Sequence, residues 1–173
     1  ALMRPQLPTL RSPLTVMQLA SEMGRLYDIE KLTFFRACEC YEELEAAGKL
    51  DADALIFVNS IASVSLSNED WASYCEAHSA ILPKLVVEIT EEEEMNEREL
   101  ERKRNVPGST GVFALDDYGS GYSNGNSLLT IAPKYVKVDI AIIRGIDTDA
   151  DKQQFLMTLI DYAHPRGVQV LAE

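Results

Sequence analysis

The sequence predicts an α/β fold on a parallel sheet, from three observations along its 173 residues. Short apolar runs suited to buried strands recur five times. Helical patterns lie between them, and that alternation implies parallel strands joined by right-handed crossovers. Each run ends at, or carries near its C-terminal end, an Asn, Asp, Glu or Lys. In a β/α barrel, catalytic residues from different strands converge on the C-terminal rim. Five polar strand ends in series therefore point to a site built there.

Strands are expected near 54–59, 84–89, 111–115, 134–139 and 168–172, with helices near 14–47, 67–80, 91–104, 123–131 and 149–165. The first helical region closes at Ala46-Ala47-Gly48-Lys49, where Gly48 suits a C-cap. Leu55-Ile56-Phe57-Val58 then ends at Asn59, and Leu85-Val86-Val87 runs into Glu88-Ile89-Thr90-Glu91. Acidic residues from Glu91 to Glu101 precede Arg102, Lys103 and Arg104, a charge order that complements the helix dipole. Residues 92–104 accordingly read as a solvated helix face. Asn105-Val106-Pro107-Gly108-Ser109-Thr110 is a turn-rich return to the next strand.

Val112-Phe113-Ala114-Leu115 suits a parallel strand covered on both faces. Asp116-Asp117-Tyr118-Gly119-Ser120-Gly121-Tyr122 follows it. Two carboxylates cannot continue such a strand into a core unless a cation or donors offset their desolvation. They belong at the strand's mouth, where a hard divalent ion finds oxygen ligands. Gly119 and Gly121 allow a sharp turn and close approach to a ligand. Tyr135-Val136-Lys137-Val138-Asp139 places Lys137 and Asp139 on one face, and Val168-Gln169-Val170-Leu171-Ala172 ends at Glu173.

Composition is that of an ordinary globular domain, 46% hydrophobic and 25% charged. No run of about 18 apolar residues suggests a membrane span. Cys38, Cys40 and Cys75 lack paired zinc spacing and read as reduced, core-packing thiols of a cytoplasmic protein. His78 and His164 stand without ligand spacing and read as structural. The net charge of −12 argues against binding DNA through a basic surface. It would also repel an anionic ligand unless cations offset it locally.

Val58-Asn59, Glu88-Ile89-Thr90-Glu91, Asp116 to Ser123, Lys137-Val138-Asp139 and Ala172-Glu173 resemble, in order, the successive motifs of the EAL domain. Ala1-Leu2-Met3-Arg4-Pro5 resembles the tail of the signature itself, whose Glu would lie one residue before Ala1. The resemblance implies a modified TIM (β/α) barrel and a cyclic-di-GMP-specific phosphodiesterase that yields linear pGpG in bacterial second-messenger signalling. Its alternative is a catalytically silent module that binds cyclic-di-GMP or a protein partner. A complete barrel needs about 250 residues. The expectation is therefore a partial EAL-like domain over residues 1–173, with the first strand before Ala1 and further strand–helix units after Glu173.

By this resemblance Asn59, Glu88, Asp116 and Asp117 are metal ligands at a two-metal Mg²⁺ or Mn²⁺ site. Lys137 lies near the attacking water and phosphate, and Glu173 is a general base or water-orienting group. Arg4 is a phosphate contact, and Glu91 steadies the loop at 117–124. A homodimer through the helix after that loop, and sensor or diguanylate cyclase (GGDEF) domains alongside, belong to the same expectation. On the residues alone, Asn59 also suits a cap after a strand, Lys137 an ion pair with Asp139, and Arg4 an ordinary surface arginine. Two features depart from the family pattern. Ser123-Asn124-Gly125-Asn126-Ser127 replaces a serine- and leucine-rich run, and residues 6–13 lack the family's tryptophan- and glycine-bearing substrate loop.

Overall fold

A computed structural model of the chain describes residues 12–91, 97–120 and 126–173. Two helices open it, α1 (Pro13–Glu22) and α2 (Leu26–Ala46). Then come β1 (Ile56–Asn59), α3 (Asn68–Ala77), β2 (Leu85–Thr90), α4 (Glu97–Arg104), β3 (Val112–Tyr118) and α5 (Asn126–Ile131). The chain continues through β4 (Tyr135–Val138), the short α6 (Ile140–Ile143), α7 (Ala150–Ala163) and β5 (Gln169–Ala172). All five strands are parallel and paired in sequence order. None of the described helices is long and apolar enough to cross a membrane.

Strand periodicity divides the sheet into two chemically different faces. Val58, Val87, Ile89, Phe113, Leu115, Val136 and Val138 point one way and join a buried cluster with the helices. Within that cluster Phe34 meets Trp71 and Tyr74 edge-on, at centroid distances of 5.4 and 5.8 Å. The register puts Asn59 beside Glu88, Glu88 beside Ala114, and Lys137 beside Leu171. Asn59, Glu88, Asp116, Lys137 and Glu173 consequently share the opposite face.

That second face is concave. Phe57 on β1 and Tyr135 on β4 meet edge-on at 5.2 Å. Strands three places apart in a flat sheet would stand about 14 Å from one another, so the sheet curls as a barrel wall does.

Four expectations need correction. The helical region at 14–47 is two helices, because Gly24 adopts φ +65° and the cap N–H groups of Met23 and Arg25 bond to Leu19 and Ala20. The expected strand at 111–115 runs on through Asp116 and Asp117 to Tyr118. Within the expected solvated face at 92–104, Leu100 and Lys103 are buried, since their i,i+3 spacing turns both inward. Cys40 is exposed rather than core-packed, whereas Cys38 is buried, and all three thiols are free. Burial pushes the Cys38 thiol up to about 11. His78 is buried against Glu42 at 3.0 Å.

Gly111 is the tightest backbone approach among the described glycines. It sits at φ +65°, and an added Cβ would lie 2.7 Å from the Arg104 carbonyl oxygen. Gly48 has a similar φ of +64° but nothing within 4 Å. Replacing Gly48 with Ala should cost about 1–2 kcal/mol, the left-handed penalty alone. Gly111→Ala should cost clearly more, because backbone must move as well. Urea unfolding of both variants checks this, and equal losses would contradict it.

Candidate metal site

The site begins with an irregularity in β3. Consecutive side chains on a regular strand point to opposite faces, so Asp116 and Asp117 could not act together there. The register between β3 and β4 shifts between Leu115 and Tyr118, the signature of a bulge. Asp117 takes φ +54°, an uncommon value for a residue with a side chain. Carboxylate oxygens of Asp116, Asp117 and Glu173 then all lie within 4.8 Å of one another. The bulge is what brings two neighbouring aspartates to one place.

Lys137 is the cationic centre of this group. Its Nζ lies 2.7 Å from Asp116 Oδ1, 2.6 Å from Glu173 Oε1 and 3.0 Å from Glu88 Oε1. Desolvation pulls its ammonium towards deprotonation, but hydrogen bonds to Asp116, Glu173 and Glu88 outweigh it and hold its pKa above the ordinary lysine value. Asp117 behaves oppositely. Burial raises its pKa first, the negative charges of Asp116, Glu173 and Asp139 raise it further, and Lys137 offsets only part of this. Asp139 makes no ion pair with Lys137, which settles that alternative. It caps α6 instead, accepting a hydrogen bond from the Ala141 N–H at 2.5 Å.

Glu91 ties β2 to the turn after β3. Its backbone N–H donates to the Asp116 carbonyl at 3.1 Å, and its Oε2 accepts from the Gly119 N–H at 3.0 Å. Gly119 has φ +95°, and a Cβ there would approach Ile142 Cγ1 at 3.0 Å. Tyr118 stacks on Phe155 with centroids 6.1 Å apart, fixing the strand end from the helical side. Asn59 lies at the exposed end of β1, in register with Glu88.

The structure thus gathers Glu88, Asp116, Asp117, Lys137 and Glu173, with Asn59 at their edge. Arg4, Gly121 and Tyr122 lie outside the described residues. Sequence reading missed the bulge and the bonding of Lys137 to three carboxylates. The adjacent aspartates were the available signal for the bulge, since only an irregular strand lets both face one ligand. The donor set at Asp116, Asp117 and Glu173 is oxygen only and closely spaced, which fits a hard divalent ion.

Comparison with known proteins agrees with this architecture. Over 91 residues the chain is 32% identical to the probable cyclic di-GMP phosphodiesterase PdeG of Escherichia coli K12, covering 51% of this chain and 18% of that protein. The cyclic di-GMP phosphodiesterase PdeB of Shewanella oneidensis is 27% identical over 136 residues, 75% of this chain and 16% of PdeB. The chain therefore spans less than a fifth of the length of either relative. Among solved structures, the PaMucR phosphodiesterase in complex with c-di-GMP matches with a TM-score of 0.78 at 22% identity, over 99% of this chain and 72% of that one. Klebsiella pneumoniae BlrP1, in a manganese/cy-diGMP complex, matches with a TM-score of 0.72 at 20% identity, over 95% and 42% of the respective chains. These likenesses show the fold, a TIM-barrel-like α/β domain. The EAL domain family model matches residues 1–173, and this chain belongs to the EAL domain family.

Proposed function

We propose that this domain is a Mg²⁺- or Mn²⁺-dependent phosphodiesterase that opens cyclic-di-GMP to linear pGpG. The observation that carries the reading is the convergence of Asp116, Asp117 and Glu173 within 4.8 Å on the concave face. The names of the relatives and the nucleotide complexes of the structural neighbours support the substrate. A BlrP1 complex with calcium as well as one with manganese supports a divalent-ion requirement.

Asn59, Glu88, Asp116 and Asp117 would hold the ions, with oxygen atoms throughout. When bound, a pair of such ions lowers the pKa of water and offsets charge on the phosphoryl oxygens. Hydrolysis forms one bond from the water oxygen to phosphorus and breaks one phosphorus–oxygen ester bond. Glu173 takes the proton from water and releases it again through solvent, which supplies the proton that the leaving oxygen gains. Lys137, already an ammonium among carboxylates, orients Glu173 and presents positive charge to the phosphate. Arg4 adds a phosphate contact in the same reading. Glu91 keeps the turn at Gly119 in place, so that Asp117 stays on the ligand side.

Turnover tests this directly. Full-length protein incubated with cyclic-di-GMP and Mn²⁺ or Mg²⁺ should release linear dinucleotide, followed by chromatography, and EDTA should stop it. Asp116→Asn should lower the rate by more than about 100-fold, beyond what loss of an outer-shell partner costs. Binding without turnover would make the domain a receptor, and neither binding nor turnover would sink the nucleotide reading altogether.

The bulge supplies a second test. Asp117→Gly removes a crowded carboxylate and suits φ +54°, so the metal-free protein should keep its stability to within about 1 kcal/mol. The rise in Tm on adding Mn²⁺ should shrink at the same time. A variant that loses metal-free stability by several kcal/mol, or keeps the full Mn²⁺ response, would contradict the role given to Asp117.

A further inference from the structure

Behind the Asn59 corner lies a buried ion pair that the metal reading does not use. Lys103 and Glu30, whose side chains are 0% and 1% exposed, pair Nζ to Oε1 between α4 and α2. They do not stand alone. Lys103 Nζ also reaches Ser60 Oγ at 2.6 Å, and Ser60 Oγ donates to Glu30 Oε1 at 2.6 Å. The Ile61 N–H donates to the other oxygen, Glu30 Oε2, at 2.8 Å. The Ser60 N–H is held separately by the Glu88 carbonyl at 2.9 Å. The two residues that follow Asn59 are thus fixed through side chain and backbone by one carboxylate and one ammonium.

A buried ion pair is a weak device for stability, because desolvation of two charges consumes most of their attraction. Its geometric effect here is specific. Both Glu30 oxygens are occupied by the two residues after Asn59, so the backbone leaving β1 is tied at Ser60 and Ile61, directly behind the strand end whose register sets Asn59 beside Glu88.

We propose that Glu30 and Lys103 are positioning residues that hold Asn59 in place for divalent-ion binding, through Ser60 and Ile61. The proposal rests on the cation reading of the site given above. Ser60→Ala removes the hydroxyl link and leaves the Glu30–Lys103 pair intact. The double variant Glu30→Leu/Lys103→Met replaces both charges with apolar groups of similar size and leaves neither charge unpaired.

Mn²⁺ alone is titrated calorimetrically into the full-length parent protein and both variants, with thermal unfolding recorded alongside. Both variants should bind Mn²⁺ more weakly, by up to about 10-fold, the low end of what loss of a group bonded directly to a ligand costs. A lowered Tm with parental Mn²⁺ affinity would overturn the proposal and leave the pair a purely structural role. Should the double variant fail to fold, Ser60→Ala is combined with Glu30→Gln, which disturbs the Ile61 link as well, and parental Mn²⁺ affinity in that combined variant overturns the proposal. If the parent binds no Mn²⁺, the cation reading fails, and this proposal fails with it. Parental binding with unchanged variants defeats the proposal alone.

Discussion

Negative charge held at short range on the concave face of the sheet is the constraint on which the rest of the structure turns. Two unit charges 4.8 Å apart repel by about 3.5 kcal/mol at the effective dielectric of a protein surface, and the carboxylate oxygens here lie within that distance of one another. Asp116, Asp117 and Glu173 make three such pairs, and Glu88 adds a fourth carboxylate through Lys137. One ammonium cannot balance four anions. Burial is the first cause of the raised pKa of Asp117, and the neighbouring negative charges add to it. Metal ions would relieve this repulsion on a domain whose net charge is already −12.

The scaffold that sustains this crowding works through alternation. Each central strand places a branched or aromatic side chain in the helical layer and its neighbour on the concave face. Leu115 packs in the core beside Asp116, and Val136 and Val138 flank Lys137 in the same way. The bulge at Asp117 breaks that alternation once, where two carboxylates must point together. Glu91 and Gly119 fix the turn behind it, and the Glu30–Lys103 pair fixes the opposite rim behind Asn59.

Much of this was legible in the sequence because it is local. An apolar run that ends in a polar or charged residue announces both a strand and its exit, and the five described strands lie where such runs predicted them, β3 alone running on to Tyr118. The same rule selected Glu88, Asp116, Asp117, Lys137 and Glu173, which the fold brings to one face. What stayed hidden depends on partners distant in sequence or on backbone irregularity. Lys103 read as surface because its counterion, Glu30, lies 73 residues away. The break at Gly24 was masked by strong helical pattern on both sides. Lys137 had a near neighbour in Asp139 and three true partners on, or just past, other strands, which only the register between strands could reveal.

The most direct test of the account is electron paramagnetic resonance of the full-length protein titrated with Mn²⁺. Two ions about 3.5–4 Å apart, the spacing of two-metal hydrolytic sites, would give a spin-coupled signal that saturates at two equivalents per chain. That signal should vanish in Asp116→Asn. A single uncoupled ion, or a coupled pair that survives the substitution, would contradict the claim that this acidic cluster is a two-metal site.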